Sequence, residues 1–138
     1  MDKISPEHRS WLMGRISSKN TKPELLVRRL LFAMGYRYRV HRRDLPGCPD
    51  IVFPKKRIAI FINGCFWHGH VSCKYSRLPS SNVVFWKSKI EENRRRDTKN
   101  IALLEQAGWQ VLTIWQCEIK DNAQLARRLN DFIKAPKI

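Results

Sequence analysis

The residues able to do chemistry in this chain gather in a few short stretches. In Pro49-Asp50-Ile51-Val52-Phe53, one carboxylate follows a proline turn and opens an apolar run. The start of a strand is a rigid mount at the rim of a sheet, and a basic protein gains little from an acid there unless a cation joins it. Mg²⁺ takes one or two carboxylates and fills the rest of its shell with water and phosphate oxygens, so a single acid at this place is enough for phosphodiester chemistry. The plainer reading is that Asp50 only closes the turn. Glu24 lies in the first turn of a helical pattern expected to pack nearby. It is a natural partner for Asp50, although a carboxylate there also complements the helix dipole.

Cys65, His70 and Cys73 form C-x4-H-x2-C in a glycine-rich, polar segment, and Cys117 follows a later strand. Three thiolates and an imidazole make a tetrahedral zinc site, closed to water and structural in role. By count alone Cys48 is an equally available fourth thiol, and spacing allows His68 to exchange places with His70. The histidine left out of such a site is an imidazole beside the Asp50 strand, suited to activating water.

Phe66 and Trp67 share that loop, and Phe85 and Trp86 open a helical pattern loaded with Lys87, Lys89, Arg94, Arg95 and Arg96. Aromatics beside cations suit base stacking and wedge insertion into a duplex, together with phosphate neutralisation. An aromatic is core by default, as Phe85 or Trp86 alone would be. Phe66-Trp67, on a loop where a core position is hard to arrange, favours the wedge.

The elements that must hold these groups follow from periodicity. Ser5 and Pro6 start a short helix running to about Ile16, and Ser17-Ser18-Lys19-Asn20 is a linker. Asn20 or Thr21 caps a second helix, with Pro23 and Glu24 in its first turn and Leu25, Leu26, Leu30, Leu31 and Met34 at helical spacing up to Gly35. Tyr36 to His41 alternates as a half-buried strand. Asp50–Phe53 and Arg57–Ile62 make a hairpin across Pro54-Lys55-Lys56. Asn82 caps a long helix ending at Gly108, Trp109–Trp115 is a strand, and Ala123 through Ile133 closes the chain as a helix. The order predicts one sheet flanked by helices, an α/β or mixed α+β class.

With 138 residues the chain is expected to form one domain, 1–138, with residues 1 to about 20 as a helical arm. Hydrophobic residues at 43% suit a globule, and no apolar run approaches a membrane span. The start lacks the apolar stretch of a secretory signal, so a soluble cytoplasmic protein with reduced thiols is expected. Charge is the strongest global signal: 27 Lys and Arg against 12 Asp and Glu leave +15. A polyanion is the simplest partner, and basic residues spread over several elements favour nucleic acid over a membrane surface.

Leu45-Pro46-Gly47-Cys48-Pro49-Asp50, Phe61-Ile62-Asn63-Gly64-Cys65-Phe66-Trp67-His68-Gly69-His70, Phe85-Trp86 and Gly108 through Cys117 closely resemble, in this order, the very short patch repair endonuclease family. The resemblance runs from about Met13 to Cys117. It implies a restriction-endonuclease-like core, and nicking of duplex DNA immediately 5′ of the T in a T:G mismatch left by deamination of 5-methylcytosine. By the same resemblance, Asp50 bridges two Mg²⁺ ions with help from the main-chain carbonyl of Ile62. Glu24 acts through water, His68 is the general base, and Cys65, His70, Cys73 and Cys117 hold Zn²⁺. Phe66, Trp67 and Trp86 match the wedge, Met13 a minor-groove contact, and Lys89 and Asn93 positions near the mismatched pair. The resemblance further implies a monomer acting on the bacterial nucleoid, with mismatch-repair proteins as candidate partners. Where well-known members carry a histidine, this chain has Asn63, which still donates a hydrogen bond but carries no charge and shuttles no proton. Two other readings fit the residues: a restriction-type nuclease acting on matched DNA, and a zinc-stabilised DNA-binding module without catalysis.

Overall fold

The computed structural model describes residues 21–135, so the expected N-terminal arm and Met13 lie outside the described residues. Helix α1 spans Lys22–Ala33. Thr21 caps it by accepting the Glu24 amide, with proline in the first turn where a missing N–H costs nothing. Strands β1 (Arg39–Val40), β2 (Ile51–Phe53) and β3 (Ile58–Asn63) follow, then α2 (Val83–Gln106), β4 (Gln110–Trp115) and α3 (Asn122–Lys134). Short 3₁₀ turns at Lys74–Ser76 and Gln116–Lys120 complete the described elements. The sheet runs β1-β2-β3-β4. The first three strands pair antiparallel and β3 pairs parallel with β4, because the connection through α2 returns the chain to the same end.

Strand alternation sorts the core onto two faces. Ile51, Phe53, Ile58, Ile60, Leu112 and Ile114 meet Val27 and Leu31 of α1 and Leu125, Leu129 and Ile133 of α3. Val52 and Ala59 face the other way and pack with Leu104 of α2, supported by Phe61, Trp109 and Val111. Each buried Ile or Leu of the larger cluster contributes about 1.5–3 kcal/mol relative to exposure, so the strands carrying the cleft residues are anchored from both sides.

Three local expectations are corrected. The Tyr36–His41 strand shrinks to Arg39–Val40. Tyr36 and Tyr38 are tied by their hydroxyls, to Asn130 Oδ1 (2.5 Å) and the Arg28 carbonyl (3.3 Å), and His41 turns into the left-handed region (φ +51°) and ends the pairing. Asp50 stands one residue before β2, not within it. Asn82 precedes α2 in a left-handed conformation and makes no side-chain cap. α3 is instead capped by Asp121, which accepts the Gln124 amide at 3.1 Å.

Candidate active site

Register explains the mount of Asp50. Ile51 lies opposite Ile60, so continuing the antiparallel ladder by two residues brings Pro49 opposite Ile62. Proline has no N–H to give the Ile62 carbonyl, and the Ile62 amide donates instead to Asp50 Oδ2 at 2.7 Å. An extended residue turns its N–H and C=O to the same strand edge, so the Ile62 carbonyl and the Asp50 carboxylate share one edge. Burial pushes the Asp50 carboxyl up to about 7; the Ile62 hydrogen bond opposes this, the negative field of Glu24 adds to it, and His68 opposes it weakly.

His41, Asp50, Ile62, Asn63, His68, Asp97 and Asn100 are among the residues lining one cleft of about 320 Å³, within the range of ligand sites and with room for a backbone phosphate. His68 Nδ1 lies 2.6 Å from Asp97 Oδ2, both half-exposed. A carboxylate on Nδ1 favours the proton there, which leaves Nε2 as the basic nitrogen. Asn63 is buried at the end of β3. Glu24 is 2% exposed and sits behind the cleft, paired with Arg28 and with His41 Nε2, the latter at 2.7 Å. Cys48 lines this cleft and does not join the other thiols.

Past β3 the chain reverses sharply. His68 and His70 donate backbone N–H groups to Gly64 (3.2 Å) and Cys65 (2.9 Å), with Gly69 between them at φ +61°. A Cβ on Gly69 would stand 2.6 Å from Ile90 Cγ2 and 2.8 Å from Arg94 Cδ, so only glycine lets the loop lie this close to α2. The turn separates the two imidazoles. His68 goes to the cleft, whereas His70 joins Cys65, Cys73 and Cys117, the ligand atoms of all four lying within 4.8 Å of one another.

Cys117 Sγ is 3.4 Å from His70 Nδ1, and the His70 ring stacks on Trp115 at 4.1 Å. Ligand atoms around a tetrahedral zinc stand roughly 3.6–3.8 Å apart, so the donor set suits that ion in type and spacing. Burial, and then the neighbouring Cys65 and Cys73 thiols, push Cys117 up to about 12; burial also raises Cys65. These thiols hold their protons until a cation displaces them.

Phe66, Trp67 and Trp86 form a triangle of edge-on contacts, with centroids 5.3–5.6 Å apart. Phe85 extends it from Trp86 at 5.1 Å and is exposed. Asn93 holds the Trp67 carbonyl at 2.9 Å and in turn accepts from Arg96, so its visible role is to fix the aromatic loop on α2. Lys89 is exposed one turn earlier.

Sequence reasoning missed Asp97, His41 and Arg28. Asp97 was legible in principle, because Ile90, Asn93, Asp97, Asn100 and Leu104 recur at helical spacing as the covered stripe of α2. Nothing local marks His41, whose position depends on the left-handed turn after β1.

Residues 1–74 match the model of the family described as DNA mismatch endonuclease Vsr. The chain is 51% identical over 132 residues to the type II nicking enzyme V.XorIIP of Xanthomonas oryzae pv. oryzae, covering 96% of each. It is 45% identical over 136 residues to the type II nicking enzyme V.NmeAIP of Neisseria meningitidis, covering 99% of this chain and 96% of that protein. Against the DNA mismatch endonuclease Vsr of Escherichia coli K12 it is 38% identical over 117 residues, covering 85% and 74%. Matches of this identity along nearly the whole chain, over a cleft that joins an acid to an oriented imidazole, mean that the chain belongs to the Vsr family of DNA mismatch endonucleases and is a DNA-cleaving hydrolase.

Proposed function

We infer that this protein nicks one strand of duplex DNA on the 5′ side of the T in a T:G mismatch, using Mg²⁺ at Asp50 and a structural Zn²⁺ at Cys65, His70, Cys73 and Cys117. The observation that carries this reading is the shared cleft: the Asp50 carboxylate, the Ile62 main chain and the His68–Asp97 pair all open onto one space. The relatives named as nicking enzymes and as a mismatch endonuclease support cutting one strand at a mismatch.

The cleft suits a hard cation on its own chemistry. Asp50 and the Ile62 carbonyl offer oxygen on one edge, and the burial that keeps a proton on Asp50 is relieved when a cation takes the proton's place. Bound there, a divalent cation would stabilise charge on the scissile phosphate and the leaving oxygen. The remaining work falls to the chain. His68, its Nδ1 held by Asp97, takes a proton from water through Nε2, and the water oxygen bonds to phosphorus as the bond to the leaving oxygen breaks. Asn63 donates a hydrogen bond to the phosphate without supplying charge. Phe66, Trp67 and Trp86, braced on α2 through Asn93, enter the stack beside the mismatch. A T:G wobble stacks less well than a matched pair, so opening it costs less by about a few kcal/mol, and the enzyme converts that difference into preference. Chromosomal DNA as substrate would put the protein with the bacterial nucleoid.

The test is cleavage of end-labelled duplexes that differ only in one pair, T:G or T:A, with Mg²⁺. The reading expects a single nick 5′ of the mismatched T and an intact matched duplex. Cutting of both strands of matched DNA would support a restriction-type nuclease instead.

A further inference from the structure

The cleft contains a second imidazole for which the reaction just described has no use. His41 leaves β1 in the left-handed region (φ +51°), a conformation uncommon for a residue with a Cβ. Its amide donates to the Asp50 carbonyl at 3.3 Å, and the residue lines the cleft. Nε2 stands 2.7 Å from Glu24 Oε2 and 3.3 Å from an Arg28 guanidinium nitrogen. One ligand atom from each of Glu24, His41 and Asp50 falls within 4.8 Å of the others. Donors this near one another can meet one metal ion through bonds of about 2.0–2.2 Å after side-chain shifts of roughly a few tenths of an ångström.

We propose that His41 is a ligand of the divalent cation at Asp50, so that the site is a mixed imidazole–carboxylate site favouring a first-row transition ion over Mg²⁺. This rests on the reading that Asp50 holds a cation. Asp50, Ile62 and His41 line the same cleft, and Glu24, its charge balanced by Arg28, stands against the His41 ring. An all-oxygen wall suits Mg²⁺, whereas imidazole nitrogen raises affinity along the transition series and adds little for Mg²⁺. The thiol-rich cluster does not compete for a harder ion such as Mn²⁺, because thiolates select softer ones.

The experiment uses the full chain with the metal of its cysteine cluster retained. Free Mn²⁺ is counted by electron paramagnetic resonance, and Mg²⁺ affinity is read by competition, for the wild type, His41→Gln and Asp50→Ala. The wild type is expected to bind Mn²⁺ more tightly than Mg²⁺. His41→Gln loses about tenfold in Mn²⁺ affinity with Mg²⁺ affinity nearly unchanged, and Asp50→Ala binds neither ion in the cleft. An unchanged Mn²⁺ to Mg²⁺ ratio in His41→Gln overturns the proposal and leaves Asp50 as the cation site. Undiminished binding in Asp50→Ala overturns the underlying reading. Independently of any effect on folding, electron spin-echo modulation on Mn²⁺-loaded wild type and His68→Gln should show a directly bound imidazole nitrogen in both. Absence of that nitrogen from the wild type, or its loss on removing His68, refutes ligation by His41.

Discussion

The oxygen-rich cleft and the thiol-rich cluster share one loop and are built by opposite means. The cleft hangs on β2 and β3, whose Ile51, Val52, Ala59 and Ile60 are fully buried, and its acids are positioned by hydrogen bonds that need no metal. The cluster collects residues from the 64–82 segment and from the 3₁₀ turn after β4, where Cys65 is the one buried apolar side chain before α2. Under the proposed function the cleft can therefore exist before its ion arrives, whereas the cluster would need an ion to hold the loop. Phe66, Trp67 and His68 all lie between Cys65 and His70, so on the same reading the wedge and the base lean on the cluster while Asp50 leans on the sheet.

Stripping metal from the cluster with a thiol-directed mercurial and a chelator should give the largest effect. A fall in melting temperature of more than about 10 °C and loss of DNA binding are expected, against a shift of a few degrees on withdrawing Mg²⁺. Equal shifts from the two treatments would dissolve the contrast.

Within the cleft, His68→Ala should lower the single-turnover nicking rate by roughly 10²–10⁴, the usual worth of a general base. Asp97→Asn should lower it by a smaller part of that range, with DNA affinity retained in both. A full rate in Asp97→Asn would mean that the 2.6 Å contact does not orient the base.

Smaller still is a pH effect on stability. The folded protein keeps a proton on Asp50 up to about pH 7 that the unfolded chain gives up near pH 4. Metal-free protein therefore loses stability as pH rises through this window, by an amount on the order of a few kcal/mol. Asp50→Asn should flatten that slope in denaturant melts taken between pH 5 and 8. For the same reason Mg²⁺ should bind more tightly as pH rises. An unchanged slope in the variant would assign it to another group.

The smallest expectation is a null result: Cys48→Ser should leave the metal content of the cluster unchanged, since Cys48 lines the cleft.

How much of this was legible in the sequence divides along the same line. Pro49-Asp50 ahead of an apolar run and C-x4-H-x2-C in a loop are local patterns, and both lead to the groups that the fold assembles. Pairings between distant elements were not legible from spacing. Cys117 and Cys48 were equal by count and are separated only by the path of the chain after β4, and His68 and His70 are separated only by the close approach of Gly69 to α2. The alternation from Tyr36 to His41 suggested a longer strand, because nothing local shows that tyrosine hydroxyls would be drawn to α1 and α3 or that His41 would turn left-handed toward Glu24. Asp97 was hidden by the arginines around it, although its spacing from Asn93 and Asn100 placed it on the covered face.

The most direct test of the central claim is a Mg²⁺ titration of nicking and of binding, run side by side on one T:G duplex, for the wild type and Asp50→Asn. The account predicts that the variant binds the duplex about as well as the wild type and loses about 10³-fold or more in nicking at every Mg²⁺ concentration, as the removal of several kcal/mol of charge stabilisation requires. Nicking by Asp50→Asn at the wild-type rate, with the wild-type dependence on Mg²⁺, would contradict it.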